Sequence, residues 1–309
     1  MHTSSLLQQW SRERSELAAQ LTPRTLAIAL GRHRSLSAMR WRGDLIVTAA
    51  EALAGNERAV VIAEQGEQPA EVIACDLATD VVVVRVPGAS SAMPTEAGIL
   101  TRDDGLALQA GAGVIVVGRT PSARLVGFGS VRLAGPAWQS RRGGAIAQRL
   151  EFEAQLDARF EGALVADLTG TARAMLVSGP RGRLLGIPVP TIERIVAAVE
   201  RHGYLPRPYL GLRLQSLWLD RGTRERWGRG DRNAIAVAGV EPQSPAEVAG
   251  LAPGDLLEAL DGVEIDDVEA FAARIGQSLP GQRLELRWRR GGQSQTAAVD
   301  LAEWRTARA

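Results

Sequence analysis

From about residue 24 to residue 190 the apolar positions fall into short β-prone runs: "TLAIAL", "DLIVTAA", "AVVIAE", "AEVIACD", "VVVVRV", "GVIVVG", "LVGFGSV", "GALVAD", "AMLVSG" and "GRLLGIPV". Gly-rich turns separate them, and many short strands with turn signals between them predict an all-β barrel or sandwich. The stretch 93–110, "MPTEAGILTRDDGLALQA", breaks this rhythm and suits a crossover between two barrels. After Thr191 the period changes. Ile192, Ile195, Val196 and Val199 take helical spacing, and Gly203 is placed to stop the helix.

The pattern changes again at both ends. Leu6, Trp10, Leu17 and Leu21 lie near one face of a helix, which either docks on its own domain or makes a subunit contact. At the other end "GYLPRPYLG", 203–211, carries two prolines and reads as a linker. Beyond it "AIAVAGV" is a strand, and "SPAEVAG" opens a short helix with Pro just inside a Ser cap. "GDLLEALDGVEI" reads as two strands about an Asp-Gly turn, "DVEAFAARIGQ" as a helix, and "RLELRWRRGGQSQTAAVDL" as a Gly-Gly hairpin. Three segments follow: an N-terminal helix over 1–23, a β domain over 24–203, and a small α+β domain over 204–305.

Composition narrows the function. The chain has 309 residues, 45% of them hydrophobic, enough for two cores. All 36 basic residues are Arg, since Lys never occurs, and 35 acidic residues leave a formal charge of +1, so no net field favours nucleic acid. The single Cys75 reads as a buried, inert thiol. With only His2, His33 and His202 beside it, a zinc site of His or Cys type is excluded, and no cofactor is expected. No run is long enough to span a bilayer. The start, "SLLQQWSRERSELAAQL", is polar and charged, so the chain as given reads as cytoplasmic, or periplasmic if its beginning has been removed.

The signature "SPAEVAGLAPGDLLEALDG", 244–262, resembles the PDZ domain carried by bacterial HtrA/Deg proteases, and "PYLGL", 208–212, resembles that family's carboxylate-binding turn. PDZ domains take an extended peptide as an added strand and hold its terminal carboxylate on backbone N–H groups. The resemblance implies a turn of Tyr209, Leu210, Gly211 and Leu212, a receiving edge continuing through Arg213 and Leu214, and a far wall of Val268, Phe271, Ala272 and Ile275. Phe271 and Ile275 are equally suited to core packing. The segment 216–233, "SLWLDRGTRERWGRGDRN", forms a lid on the groove or a solvated loop with a short helix.

The β domain resembles the HtrA protease domain, a trypsin-like double β-barrel, along nearly its whole length. "GDLIVTAAEAL" is similar to the family's histidine segment, "DLATDVVVVRV" to its aspartate segment, and "EFEAQLDARFEGALVADLTGTARAMLV" to its nucleophile segment. In that register the histidine position is Glu51, the serine position is Glu161, and only Asp80 matches. A serine protease needs a hydroxyl nucleophile, an imidazole base and oxyanion N–H donors. Glu51 and Glu161 supply neither of the first two. The flexible glycine two residues before the nucleophile is replaced by Arg159, with Phe160 beside it.

The expectation is therefore a mostly β, non-catalytic HtrA-like pseudoprotease that recruits C-terminal or extended peptides through its PDZ domain. The family resemblance implies a trimer, or a hetero-oligomer in which the chain regulates an active relative. The alternative is a serine-type endopeptidase with residual or relocated activity. For Glu51, Asp80 and Glu161 three readings stand: outward-facing or Arg159-paired carboxylates, a hard-cation site, and a proton-sharing dyad of Glu51 and Glu161.

Overall fold

The structure is a computed structural model that describes residues 2–31, 34–63, 66–88, 107–140, 142–227 and 233–303. The protein is mostly β, with two six-stranded barrels and a C-terminal PDZ domain. It divides into two units, Met1–Trp138 with Ala145–Leu205, and Gln139–Gly144 with Pro206–Ala309.

In the first unit β1 (Thr25–Ala29), β2 (Ser35–Arg40), β3 (Leu45–Thr48), β4 (Arg58–Ala63), β5 (Gly66–Asp76) and β6 (Val81–Arg85) close one barrel in the order β1-β2-β3-β6-β5-β4. After β7 (Gly113–Arg119) and β8 (Arg124–Gly135), a short ribbon of β9 (Trp138–Gln139) and β10 (Ala145–Ile146) precedes β11 (Arg149–Ala154), β12 (Leu164–Asp167), β13 (Ala172–Ser178) and β14 (Leu184–Pro188). These close the second barrel in the order β11-β14-β13-β12-β7-β8.

The two-residue period of a strand explains why these runs are apolar throughout. Val82 and Val84 fill the first barrel with Leu26, Ile28 and Ile46. Val81 and Val83 point the opposite way, into a core shared by both barrels with Met39, Ile115, Val117, Leu164 and Met175. Val114, Val116, Val165 and Leu176 fill the second barrel with Leu150 and Phe152.

Two helices complete the unit. α1 (His2–Leu21) buries Leu21 in the shared core and rests Leu17 against it, whereas Leu6, Leu7 and Trp10 are exposed. Docking thus accounts for the second half of its apolar face only. α2 (Val189–His202) seats Ile192, Ile195, Val196 and Val199 in the same core and ends at Gly203, whose φ of +80° needs no side chain.

The second unit is built on a sheet ordered β16 (Leu212–Trp218), β17 (Asn233–Val240), β18 (Leu256–Leu260), β20 (Arg283–Arg290) and β21 (Gln293–Asp300), with β19 (Val263–Glu264) beside β18. Ser244 caps α4 (Pro245–Val248) by accepting from Glu247 N–H, and Asp267 caps α5 (Val268–Gln277) by accepting from Ala270 N–H. The Asp261-Gly262 and Gly291-Gly292 turns all have positive φ, as tight hairpins require.

Two local readings change. "SLSAMR" forms β2 although it shows no strong apolar run, because its neighbours on both sides pair with it and bury Leu36, Ala38 and Met39. Within the expected linker, β15 (Pro208–Tyr209) pairs with β22 (Ala302–Glu303). Most of the expected crossover, 93–110, lies outside the described residues. Of 216–233, the first three residues extend β16 and Arg221–Trp227 forms the helix α3, while 228–232 lie outside the described residues.

Candidate functional site

The segment equivalent to a nucleophile loop begins at Asp157, which caps a single 3-10 turn, Ala158–Phe160. Its Oδ1 accepts from Arg159 N–H at 2.9 Å, and its carboxylate also holds the Arg159 guanidinium, with the closest approach at 2.6 Å. Phe160 N–H donates to Asp157 O at 3.0 Å, and Glu161 N–H to Ala158 O at 3.3 Å. An oxyanion hole uses the N–H groups at the nucleophile and two residues before it. Here those two, on Glu161 and Arg159, both have internal acceptors.

Glu161 turns its carboxylate onto the end of β13. Oε2 accepts from Ser178 N–H at 2.9 Å, and Ser178 Oγ donates to the same oxygen. The adjoining backbone is held tightly: Ser37 N–H donates to Glu161 O at 2.8 Å, and Ser37 Oγ donates to Arg159 O at 3.0 Å. Gly162 has a φ of +79°, and a Cβ there would stand 2.2 Å from Ser37 O and 2.4 Å from Thr48 Oγ1, so only glycine fits.

Asp80 ends the turn between β5 and β6 with a left-handed φ of 58°. Asp76 shapes that turn by accepting from Ala78 N–H and Thr79 Oγ. Asp80 Oδ1 in turn accepts from Ala50 N–H at 2.8 Å and Glu51 N–H at 3.2 Å, capping the 3-10 turn Glu51–Leu53. Burial pushes the Asp80 carboxyl up to about 6; the Ala50 and Glu51 N–H groups oppose this, and the charges of Glu161 and Glu51 add to it. Burial also raises Glu161, against its Ser178 hydrogen bonds and with help from the Glu51 charge.

Glu51, Asp80 and Glu161 are thus brought within electrostatic reach of one another. Arg159 pairs with Asp157 and not with Glu161, which corrects one expected arrangement. Among the described residues no group of three or more His, Cys, Asp or Glu is arranged to hold a metal ion.

In the second unit β16 is the edge of its sheet, and α5 lies beside β15 and β16. Leu210 and Gly211 form the turn before that edge. Their carbonyls accept from Ala246 N–H at 3.0 Å and Glu241 N–H at 2.9 Å. Among the described residues neither Leu210 N–H nor Gly211 N–H has a protein acceptor. Gly211 has a φ of +81°, and a Cβ there would stand 2.1 Å from Ser244 Cβ. The edge of β16 thus runs beside α5.

Comparison with known proteins fits both halves. A PDZ domain model matches residues 237–290. The putative serine protease HhoA of Synechocystis is 25% identical over 275 residues, 84% of this chain and 68% of that protein. The chain is thus similar to HtrA/DegP-like serine proteases that carry a PDZ domain. A probable periplasmic DegP-like endoprotease of Rhizobium meliloti is 31% identical over 125 residues, 40% of the chain but only 24% of that relative, so the chain spans a small part of it. A structure of the HtrA-type protease AlgW with a decapeptide superposes with a TM-score of 0.69 over 95% of the chain and 99% of AlgW, at 19% identity, which shows a common fold.

On this HtrA-like frame the residues expected along the peptide groove take different places. Leu210, Phe271 and Ile275 are buried in the PDZ core, with Leu212, Leu214 and Val268 packed against it. Ala272 and Arg213 are exposed, and the Arg213 side chain lies across Gly239. Tyr209 is half-buried, and burial together with the nearby Glu241 carboxylate raises its hydroxyl. In the barrel unit the sequence reading missed Ser178, Asp157, Ser37 and Thr48. Asp157 carried a signal, an Asp two residues before Arg159 in a loop. The contacts of Ser37, Thr48 and Ser178 depend on strand pairing that no local pattern reveals.

Proposed function

We propose that this HtrA-like chain is a pseudoprotease that recruits proteins by their C-terminal or extended peptides. The observation that carries the reading is the fate of the nucleophile loop. At the serine position stands Glu161, whose carboxylate is taken up by Ser178, and both N–H groups that would hold an oxyanion are bonded within the loop. At the nucleophile position a peptide carbonyl meets a carboxylate in place of a hydroxyl, both oxyanion N–H groups are already bonded, and the general-base position holds a second carboxylate, Glu51. The turn at Leu210 and Gly211 supports the recruiting half, because among the described residues its N–H pair has no protein acceptor and it precedes a sheet edge without a partner strand, as a carboxylate-binding turn would require.

Two assays test it. Fluorescent casein incubated with the full chain should release no more label than buffer, and Glu161→Ala and Glu51→Ala should leave that background unchanged. Cleavage that either substitution removes overturns the reading in favour of a protease like the named relatives. Display of random peptides with free C-termini on the full chain should yield a consensus that Gly211→Glu abolishes.

A further inference from the structure

The receiving edge continues well past the turn, to an exposed tryptophan. β16 runs for seven residues, Leu212–Trp218, and its outer edge carries no partner strand among the described residues. With a strand rise of about 3.3 Å, the six steps from Leu212 to Trp218 cover about 20 Å. α5, with 10 residues, covers only about 15 Å. The strand therefore outreaches the helix that walls the groove.

Pairing fixes which side chains share a face. β16 meets β17 through Leu212↔Val240, Arg213↔Gly239, Leu214↔Val237 and on to Trp218↔Asn233, and the extra residue, Ala238, lies on β17. β16 itself alternates without interruption, so Leu212, Leu214, Ser216 and Trp218 project to one side and Arg213, Gln215 and Leu217 to the other. Leu212 and Leu214 rest against the PDZ core. Ser216 is small and exposed, and Trp218 is 78% exposed.

Direction follows from the turn. A carboxylate held by Leu210 and Gly211 N–H puts the last peptide residue at the start of β16, and the rest of the peptide extends along the edge, antiparallel to the strand. The last residue then lies opposite Leu212, the third from the end opposite Leu214, the fifth opposite Ser216 and the seventh opposite Trp218. Directly opposed residues share a face. We infer that the PDZ domain reads a seven-residue C-terminal tail, with a large apolar or aromatic residue in seventh position from the end stacked on Trp218. This rests on the peptide-recruiting reading and extends it by naming the class of tail. Ser216 leaves the fifth position without a preference, and the exposed indole gives the tail a second anchor.

The test is display of a random decapeptide library with free C-termini on the full chain, on Trp218→Ala, on Trp218→Phe and on Gly211→Glu. The full chain should select an apolar last residue together with Trp, Phe, Tyr or Leu at the seventh position. Trp218→Ala should keep the first preference and lose the second, and Trp218→Phe should keep both. A synthetic decapeptide of the selected sequence should bind Trp218→Ala about tenfold more weakly, an aromatic contact of about 1.4 kcal/mol. Replacing its seventh residue by Ala should cost the same factor on the full chain and nothing on Trp218→Ala. Selection at the last residue alone, identical on the full chain and Trp218→Ala, overturns the inference and leaves recruitment intact. Selection of nothing, or equal binding of the C-terminally amidated peptide, overturns both. Concentration-dependent self-association that Trp218→Ala abolishes, with no peptide preference at the seventh position, assigns the indole to a second copy and overturns the inference.

Discussion

Asp80→Asn separates the two tasks of the Asp80 side chain. Its Oδ1 accepts two backbone hydrogen bonds, from Ala50 and Glu51, and an asparagine oxygen can accept both in the same geometry. Asparagine also tolerates the left-handed φ of 58°. What the substitution removes is a charge held in a buried place beside Glu161 and Glu51. The carboxyl rises from its ordinary 3.8 to about 6 in the folded chain. A raised carboxyl means that the folded state holds the proton more tightly than the unfolded state. The associated stability is therefore full below about pH 3.8 and is lost as pH rises through 6. Relative to an uncharged isostere, the ionised group costs the fold up to about 3 kcal/mol above pH 6 and about half a kcal/mol near pH 4. Asp80→Asn should thus stabilise the barrel unit at pH 8 and leave it nearly unchanged at pH 4. Hydrogen exchange of the Val81–Val84 amides, read as the difference between variant and parent at each pH, isolates this unit from the PDZ unit. Equal destabilisation at both pH values would refute the reasoning, because it would mean a loss of packing or hydrogen bonding that does not depend on the carboxylate charge.

Two further substitutions probe the barrels. Glu151 is 2% exposed and meets Arg132, Arg149 and Arg183 at 2.6, 2.8 and 3.3 Å. The Arg149 and Arg132 hydrogen bonds hold its carboxyl at about 2, below its ordinary 4.5, so its contribution is full above pH 4.5 and is lost as pH falls through 2. Glu151→Gln should cost about 3 kcal/mol at pH 7 by urea denaturation, and a loss below about 1 kcal/mol would show that the three exposed arginines are satisfied by water. Gly162→Ala places a Cβ 2.2 Å from a backbone oxygen at positive φ and should cost about 3 kcal/mol or more, read as a fall in Tm; an unchanged Tm would show that the loop relaxes freely.

The barrels were legible because burial on both faces leaves a strand no polar positions. "VVVV" at 81–84 divides between the first barrel and the shared core, and each half of that division is apolar. The PDZ helices were legible for a different reason: Ser244 and Asp267 are caps that act within four residues of themselves. β2 was not legible, since Ser35, Ser37 and Arg40 interrupt its apolar pattern and its burial comes from pairing on both sides. At the site, the sequence register aligns Glu51, Asp80 and Glu161, and the fold brings the three within electrostatic reach. The register could not say where a carboxylate would turn. Glu161 lies 17 residues from Ser178, and only the β12–β13 hairpin makes them neighbours.

The three triad-equivalent positions differ in what the fold asks of them. Asp80 supports the backbone: without an acceptor there, Ala50 and Glu51 N–H lose their shared partner at the start of a 3-10 turn. Glu51 and Glu161 occupy positions whose side chains, in a working protease, serve chemistry and not folding. On the proposed reading, that division explains which position keeps its expected residue. It also explains why a charged cluster is tolerated. Glu161 exchanges solvent for the Ser178 N–H and hydroxyl, which offset part of its burial, and Asp80 exchanges it for two backbone donors. The nucleophile loop follows the same logic. In a protease its N–H groups wait for an oxyanion, and a loop kept unsatisfied in that way needs glycine's freedom. On the same proposed reading, with Arg159 in place of a flexible glycine and Phe160 beside it, the loop closes on Asp157 and Ala158 instead, so restoring a serine alone would return the nucleophile to a site whose oxyanion donors are already bonded.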